Sequence, residues 1–268
     1  MPGLIDVMSR AYVSEKPSKD SSLLFAAGGV IGGGMLASLL VFGCAITSKR
    51  IRFTDDLWRH IWCVPVLNTI PAGSEKTPEN FNEDINRARN NILLFPSRAA
   101  PQSKQAKIIA VSRFDRANNR MTARALADSF AEANLKTLFV DADLQAESQT
   151  DTTNGWRELI TGEAADITSQ RGNAADSISC GNLARIYDAS VSVSAVRQAL
   201  ARYSNDYDVI VVSAGDLRRS LSAELVLSAS DLGVGIIQAG DNSARVNALI
   251  AKLDSLPRNG GGVIFTGA

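Results

Sequence analysis

The sequence predicts an α/β fold, a mostly parallel sheet flanked by helices and preceded by one transmembrane helix. Two observations carry the sheet. After residue 107, short apolar runs at 108–111, 137–140, 209–212, 232–237 and 263–265 recur with helical stretches between them. The runs are continuous rather than alternating, so each strand has both faces buried, as in a parallel sheet covered by helices. The third observation carries the membrane helix: residues 23–46 pass without a charge.

The elements follow in chain order. Residues 1–21 form a short extracytoplasmic segment, and 22–47 a transmembrane helix. At ~1.5 Å per residue, the uncharged stretch covers the ~30 Å hydrocarbon layer with slight tilt. It begins too far from the N-terminus, and lacks an A-x-A cleavage site, to read as a cleaved signal. The basic cluster Lys49, Arg50, Arg52 and Arg59 outweighs the dispersed, acid-balanced Arg10, Lys16 and Lys19. This bias places the C-terminal part in the cytoplasm. Gly28 and Gly32, Gly29 and Gly33, and Gly33 and Ala37 stand four apart, which either opens one face to a second helix or is glycine tolerated in lipid.

Residues 48–106 read as a juxtamembrane segment and an amphipathic helix. Phe81, Ile85, Ala88 and Ile92 recur at helical spacing, while 71–78 and 97–107 have the composition of loops. From 107 to 268 runs the globular domain, in which Ala123, Leu126, Ala127 and Phe130 mark a helix between the first two strands.

Composition narrows the function classes. With 268 residues, 45% apolar and 21% charged, the chain holds one membrane segment and one domain with a proper core. Basic and acidic residues both number 28, which gives no electrostatic reason for a nucleic-acid partner. Cys44, Cys63 and Cys180 have neither C-x-x-C spacing nor an even count, so they read as small buried apolar residues and no metal site is expected. The single histidine, His60, lies in Trp58-Arg59-His60-Ile61-Trp62, a composition typical of a lipid interface.

In such a sheet, ligands bind outside the carboxyl ends of the strands. The first run opens into Ser112-Arg113-Phe114-Asp115-Arg116-Ala117-Asn118-Asn119-Arg120-Met121-Thr122. A phosphate-binding loop needs glycines whose N–H groups curl round the phosphates, a lysine, and a hydroxyl for magnesium. This loop has neither glycine nor lysine. The second run ends in Asp141 and Asp143, the candidate nucleotide-binding pair. The third ends at Ser213-Ala214-Gly215, where a magnesium-positioning aspartate is expected, and Asp216 comes three residues later.

The order of these pieces resembles the C-terminal part of polysaccharide co-polymerases fused to bacterial tyrosine kinases. Asp55-Asp56-Leu57 followed by Val64-Pro65-Val66-Leu67-Asn68-Thr69-Ile70-Pro71 resembles the family's juxtamembrane signature. Glu83, Arg89 and Asn91 are similar to its E-x-x-R-x-x-R-x-N-L helix, which mediates ring formation in relatives, with Asn86 in place of the middle arginine. The runs at 107–112, 137–144 and 207–213 look like the Walker A, A′ and B strands of a P-loop NTPase-like domain. Against the family's loop, one anchoring reads Arg120-Met121 and the other Asn119-Arg120 where Lys-Ser/Thr is expected. No tyrosine follows Tyr207, whereas the family's kinases end in a tyrosine cluster. About 20 residues precede the membrane helix where the family has a large ectodomain, so a separate polypeptide is expected to supply it.

The resemblance therefore implies a non-catalytic, kinase-like component of the bacterial inner membrane in exopolysaccharide synthesis and export. It would organise or regulate a co-polymerase or polymerase subunit. A homo-oligomer through Glu83, Arg89 and the membrane glycines Gly28, Gly32 and Gly33 is the expected assembly. No cofactor is expected, with weak ATP/Mg binding left open. On this reading Asp141 and Asp143 lack a neighbouring cation and repel phosphates. The alternative is an active ATP-dependent tyrosine autokinase that uses both aspartates with an atypical phosphate loop.

Overall fold

The computed structural model describes residues 22–47, 50–51, 55–56, 63–73, 77–95, 106–114, 119–144, 154–169, 173–181 and 191–267. His60, most of the 97–107 loop and residues 115–118 lie outside them. The chain divides into two units, one up to Lys49 and one from Arg50 onward.

The first unit contains α1 (Ser22–Thr47). Its stretch Phe25–Cys44 has a mean hydropathy of 1.9 and is long and apolar enough to cross a membrane. Large apolar side chains such as Phe25, Leu36 and Phe42 are exposed along it, as a lipid-facing helix requires. Nothing lies within 4 Å of the position a Cβ would take at Gly28, Gly32 or Gly33.

In the second unit the elements run β1 (Val66–Ile70), α2 (Pro78–Leu93), β2 (Lys107–Arg113), α3 (Asn119–Glu132), β3 (Thr137–Asp141), α4 (Trp156–Thr161), β4 (Asp176–Ile178), α5 (Val193–Ala201), β5 (Val209–Asp216), α6 (Leu221–Ala229), β6 (Leu232–Gln238), α7 (Ser243–Ser255) and β7 (Gly261–Thr266). The seven strands form one sheet in the order β1-β7-β6-β2-β5-β3-β4, parallel throughout.

Alternate residues of each strand feed two cores. Ile109, Val111, Phe139, Val211 and Val234 meet Phe81, Ile85, Leu126 and Phe130 from α2 and α3. Ala110, Leu138, Val140, Ile210 and Val212 meet Trp156, Val196, Leu227 and Leu253 from α4, α5, α6 and α7. Continuous apolar runs are thus the sequence of strands covered on both sides. Gly233 and Gly235 of β6 leave room for α7: a Cβ there would lie 2.8 and 2.5 Å from methyl carbons of Leu253.

Two strands were not predicted. β1 lies in the stretch read as a juxtamembrane signature, and it pairs with β7 while packing under α2 through Leu67 and Ile70. Asn68 fastens it by donating from Nδ2 to the Asp84 carbonyl at 2.7 Å. β4 has only three residues and borders β3. The predicted helical positions Phe81, Ile85, Ala88 and Ile92, and Ala123, Leu126, Ala127 and Phe130, are all buried.

The cysteines depart from expectation. Cys44 and Cys63 are exposed and Cys180 is half-buried. Cys44 sits on the bare surface of α1, and Cys63 stands just ahead of β1, beside the buried Val64.

Candidate functional site

The candidate site lies at the carboxyl ends of β2, β5 and β3. In this sheet β5 separates β2 from β3, so α3, leaving β2 for β3, crosses over the end of β5. Asn119, the first residue of α3, is buried, and its Nδ2 donates to the carbonyls of Val111 at 3.4 Å and Gly215 at 3.3 Å. A phosphate cradle presents backbone N–H groups outward. Here an amide side chain is folded inward to satisfy two strand-end carbonyls.

Arg120 follows, and its Nε lies 2.9 Å from Oδ2 of Asp141 at the end of β3. The Asp141 side chain is 4% exposed and that of Arg120 57%. Burial holds the Asp141 carboxyl above the ordinary carboxylate range, and the neighbouring Asp143 carboxylate adds to this. The Arg120 charge and the Asp143 N–H oppose it. The expectation that Asp141 lacks a neighbouring cation is therefore corrected. The cation is Arg120, brought over by the first turn of α3.

Asp143 stands two residues further, just past the strand. The Ala142 N–H donates to the Ser213 carbonyl at 2.9 Å, and the Cys180 thiol donates to the Asp143 carbonyl at 3.3 Å. Burial, followed by the charge of Asp141, pushes the Cys180 thiol up to about 11. Asp143 also lies against Gly215, whose φ is +82°.

Ser213 is the direct register partner of Asp141 across β3 and β5. Its Oγ is buried and has no hydrogen-bond partner among the described residues. β5 continues past it to Asp216, which pairs in register with Arg113 at the end of β2. One Asp216 oxygen accepts from the Arg218 N–H at 2.8 Å, while the other is 3.9 Å from Arg219 Nε. Asp216 thus serves the turn after β5, and the position opposite Asp141 holds a hydroxyl.

Sequence reasoning missed Arg113. It is 8% exposed, and its Nη2 donates to Gln238 at 2.9 Å and approaches Asp241 at 3.3 Å, tying β2 to the turn after β6. The signal was an arginine closing an apolar run.

Among the described residues, no group of three His, Cys, Asp or Glu side chains could hold a metal ion. Of the polar atoms at this site, Asn119 Nδ2 and Arg120 Nε are turned onto the strand ends. Glu83 and Arg89 lie elsewhere, on α2. Glu83 pairs with Arg87 on an exposed face, and Arg89 donates to the Ser129 carbonyl of α3 at 2.8 Å. The structure does not bring them to Asp141 and Asp143.

No protein-family model and no curated protein sequence matches the chain. Solved structures do. The kinase domain of the Escherichia coli tyrosine kinase ETK matches with a TM-score of 0.62 at 18% identity, over 76% of this chain and 89% of that one. The BceF tyrosine kinase domain matches at 0.67 and 14%, over 81% and 99%. The VpsO kinase domain matches at 0.56 and 18%, over 73% and 98%. At these identities the likeness is one of fold: the chain shares the parallel-sheet architecture of these kinase domains.

Proposed function

We propose that this chain is a non-catalytic, kinase-like component of the bacterial inner membrane that organises or regulates a polysaccharide co-polymerase in exopolysaccharide synthesis and export. The observation that carries the non-catalytic reading is the Arg120–Asp141 ion pair. Phosphoryl transfer depends on positioning and on cations aimed at the phosphates. Here the Arg120 guanidinium beside the end of β3 is turned onto a carboxylate of the same domain. The loop lacks glycine and lysine, and the residue opposite Asp141 is Ser213, a poor substitute for a carboxylate in magnesium's shell.

The setting rests on α1, on the basic residues that follow it, and on the resemblance to co-polymerase kinases. The cytoplasmic side for the domain and the co-polymerase partner belong to this proposal, as does self-association through Glu83, Arg89 and the glycines of α1.

The test uses the full chain in detergent micelles. Calorimetry with ATP and magnesium, phosphate release and tyrosine phosphorylation are measured together, and no turnover is expected. Micromolar affinity with turnover abolished by Asp141→Ala would replace this reading with that of an active kinase.

A further inference from the structure

Arg120 and Asp141 form an asymmetric pair. An arginine more than half exposed gains little from an ion pair at the surface. A carboxylate 4% exposed is costly unless a charge or hydrogen bonds answer it. The contact therefore serves Asp141. A second group points to the same place: Ser213, its register partner on the adjacent parallel strand, projects from the same face of the sheet. Its Oγ is buried and finds no hydrogen-bond partner among the described residues.

We propose that Arg120 is a built-in counter-ion for Asp141, a latch that holds the start of α3 over the ends of β3 and β5 and keeps divalent cations off that carboxylate. The inference rests on the non-catalytic reading and gives it a physical device. A guanidinium stays charged throughout the range in which proteins fold, so the latch is permanent unless the side chain swings away. What opposes that swing is the cost of leaving the buried Asp141 carboxylate unanswered, and only one long side chain has to move.

The experiment takes the full chain in micelles with Mn²⁺ as the probe, read by electron paramagnetic resonance and by thermal unfolding. Wild type should bind weakly, and Mn²⁺ should leave its Tm unchanged. Arg120→Ala and the length-preserving Arg120→Gln should both bind at least about tenfold tighter, with a Tm that Mn²⁺ raises. Adding Asp141→Asn to either should abolish binding. Equal Mn²⁺ affinity in wild type and both variants, or no gain in either folded variant, would overturn the latch. ATP turnover by wild type would instead overturn the non-catalytic reading, so the two failures are separable.

Discussion

Gly215 lies directly beneath Asp143: a Cβ added to the glycine would stand 2.6 Å from the aspartate's Oδ1, and its φ of +82° is one that side chains rarely adopt. The bend after Ser213 and the loop after β3 thus depend on each other. Gly215→Ala has to strain the backbone and push Asp143 aside. The expected cost is about 1–3 kcal/mol, measured by denaturant unfolding. An unchanged midpoint would show that the two loops are independent.

Removing the Arg120 charge should make stability more dependent on pH. Burial already holds the Asp141 carboxyl above its ordinary value, and Arg120 is the main opposing influence, with Asp143 and Cys180 the other titratable groups facing it. A carboxyl raised in the folded state contributes stability that is present below its unfolded pKa and lost as pH rises through its folded one. Arg120→Ala raises it further. The variant should lose about 1–2 kcal/mol at pH 7.5, the smaller end of buried-pair costs because the arginine is half exposed. The deficit should shrink as pH falls through the carboxyl's titration. Unfolding curves across pH 4 to 8 check this, and a deficit independent of pH would count against it.

The legible parts of the fold were those with an unambiguous period. Leu126 and Phe130 are spaced for a helix and are buried, and the runs at 108–111 and 209–212 lie inside β2 and β5. β1 was not legible because Asn68 and Thr69 interrupt a five-residue edge strand, so nothing local separates it from a loop. β5 runs on to Asp216 because strand pairing does not require apolar side chains once Arg113 lies opposite. The site was half legible. Asp141 at the end of an apolar run and, after the first such run, a loop without glycine or lysine are read directly from the sequence, but Arg120 meets Asp141 only because β5 sits between β2 and β3, and strand order is not written in any local pattern.

The cysteines should separate by reactivity. Thiolate is the species that attacks thiol reagents, and the Cys180 thiol is held at about 11, whereas Cys63 is exposed. In the folded chain Cys63 should be labelled by a maleimide rapidly and Cys180 slowly. The Cys180 rate should climb about tenfold per pH unit from 7.5 to 9.5, followed by mass spectrometry. Fast labelling at pH 7.5 would mean that the contact with the Asp143 carbonyl is not maintained.

The topology of α1 also has a direct test. The charge-free stretch and the basic residues beyond it predict a domain on the cytoplasmic side. A reporter active only in the periplasm should therefore be silent when fused after Ala268. Activity there, or complete release of the protein by carbonate, would contradict the membrane reading.

The final prediction concerns where the domain begins. The resemblance to a juxtamembrane signature invites a cut after it, and a fragment starting at residue 79 would look like a natural boundary. Such a fragment lacks β1, whose residues 66–70 are hydrogen-bonded to β7. It would also remove Leu67 and Ile70, 3% and 1% exposed, from the core shared with α2. A Cβ on Gly262 of β7 would meet Leu67 at 2.5 Å, so that glycine accommodates a side chain the cut would take away. Losing two buried aliphatic side chains costs about 3–6 kcal/mol, a large part of a typical domain's stability. The exposed edge of β7 would be open to pairing with other chains. The fragment from 79 should therefore unfold at lower denaturant and aggregate, while one starting at residue 50, which keeps β1, should not. Equal midpoints for the two fragments would show that β1 is an appendage rather than part of the fold.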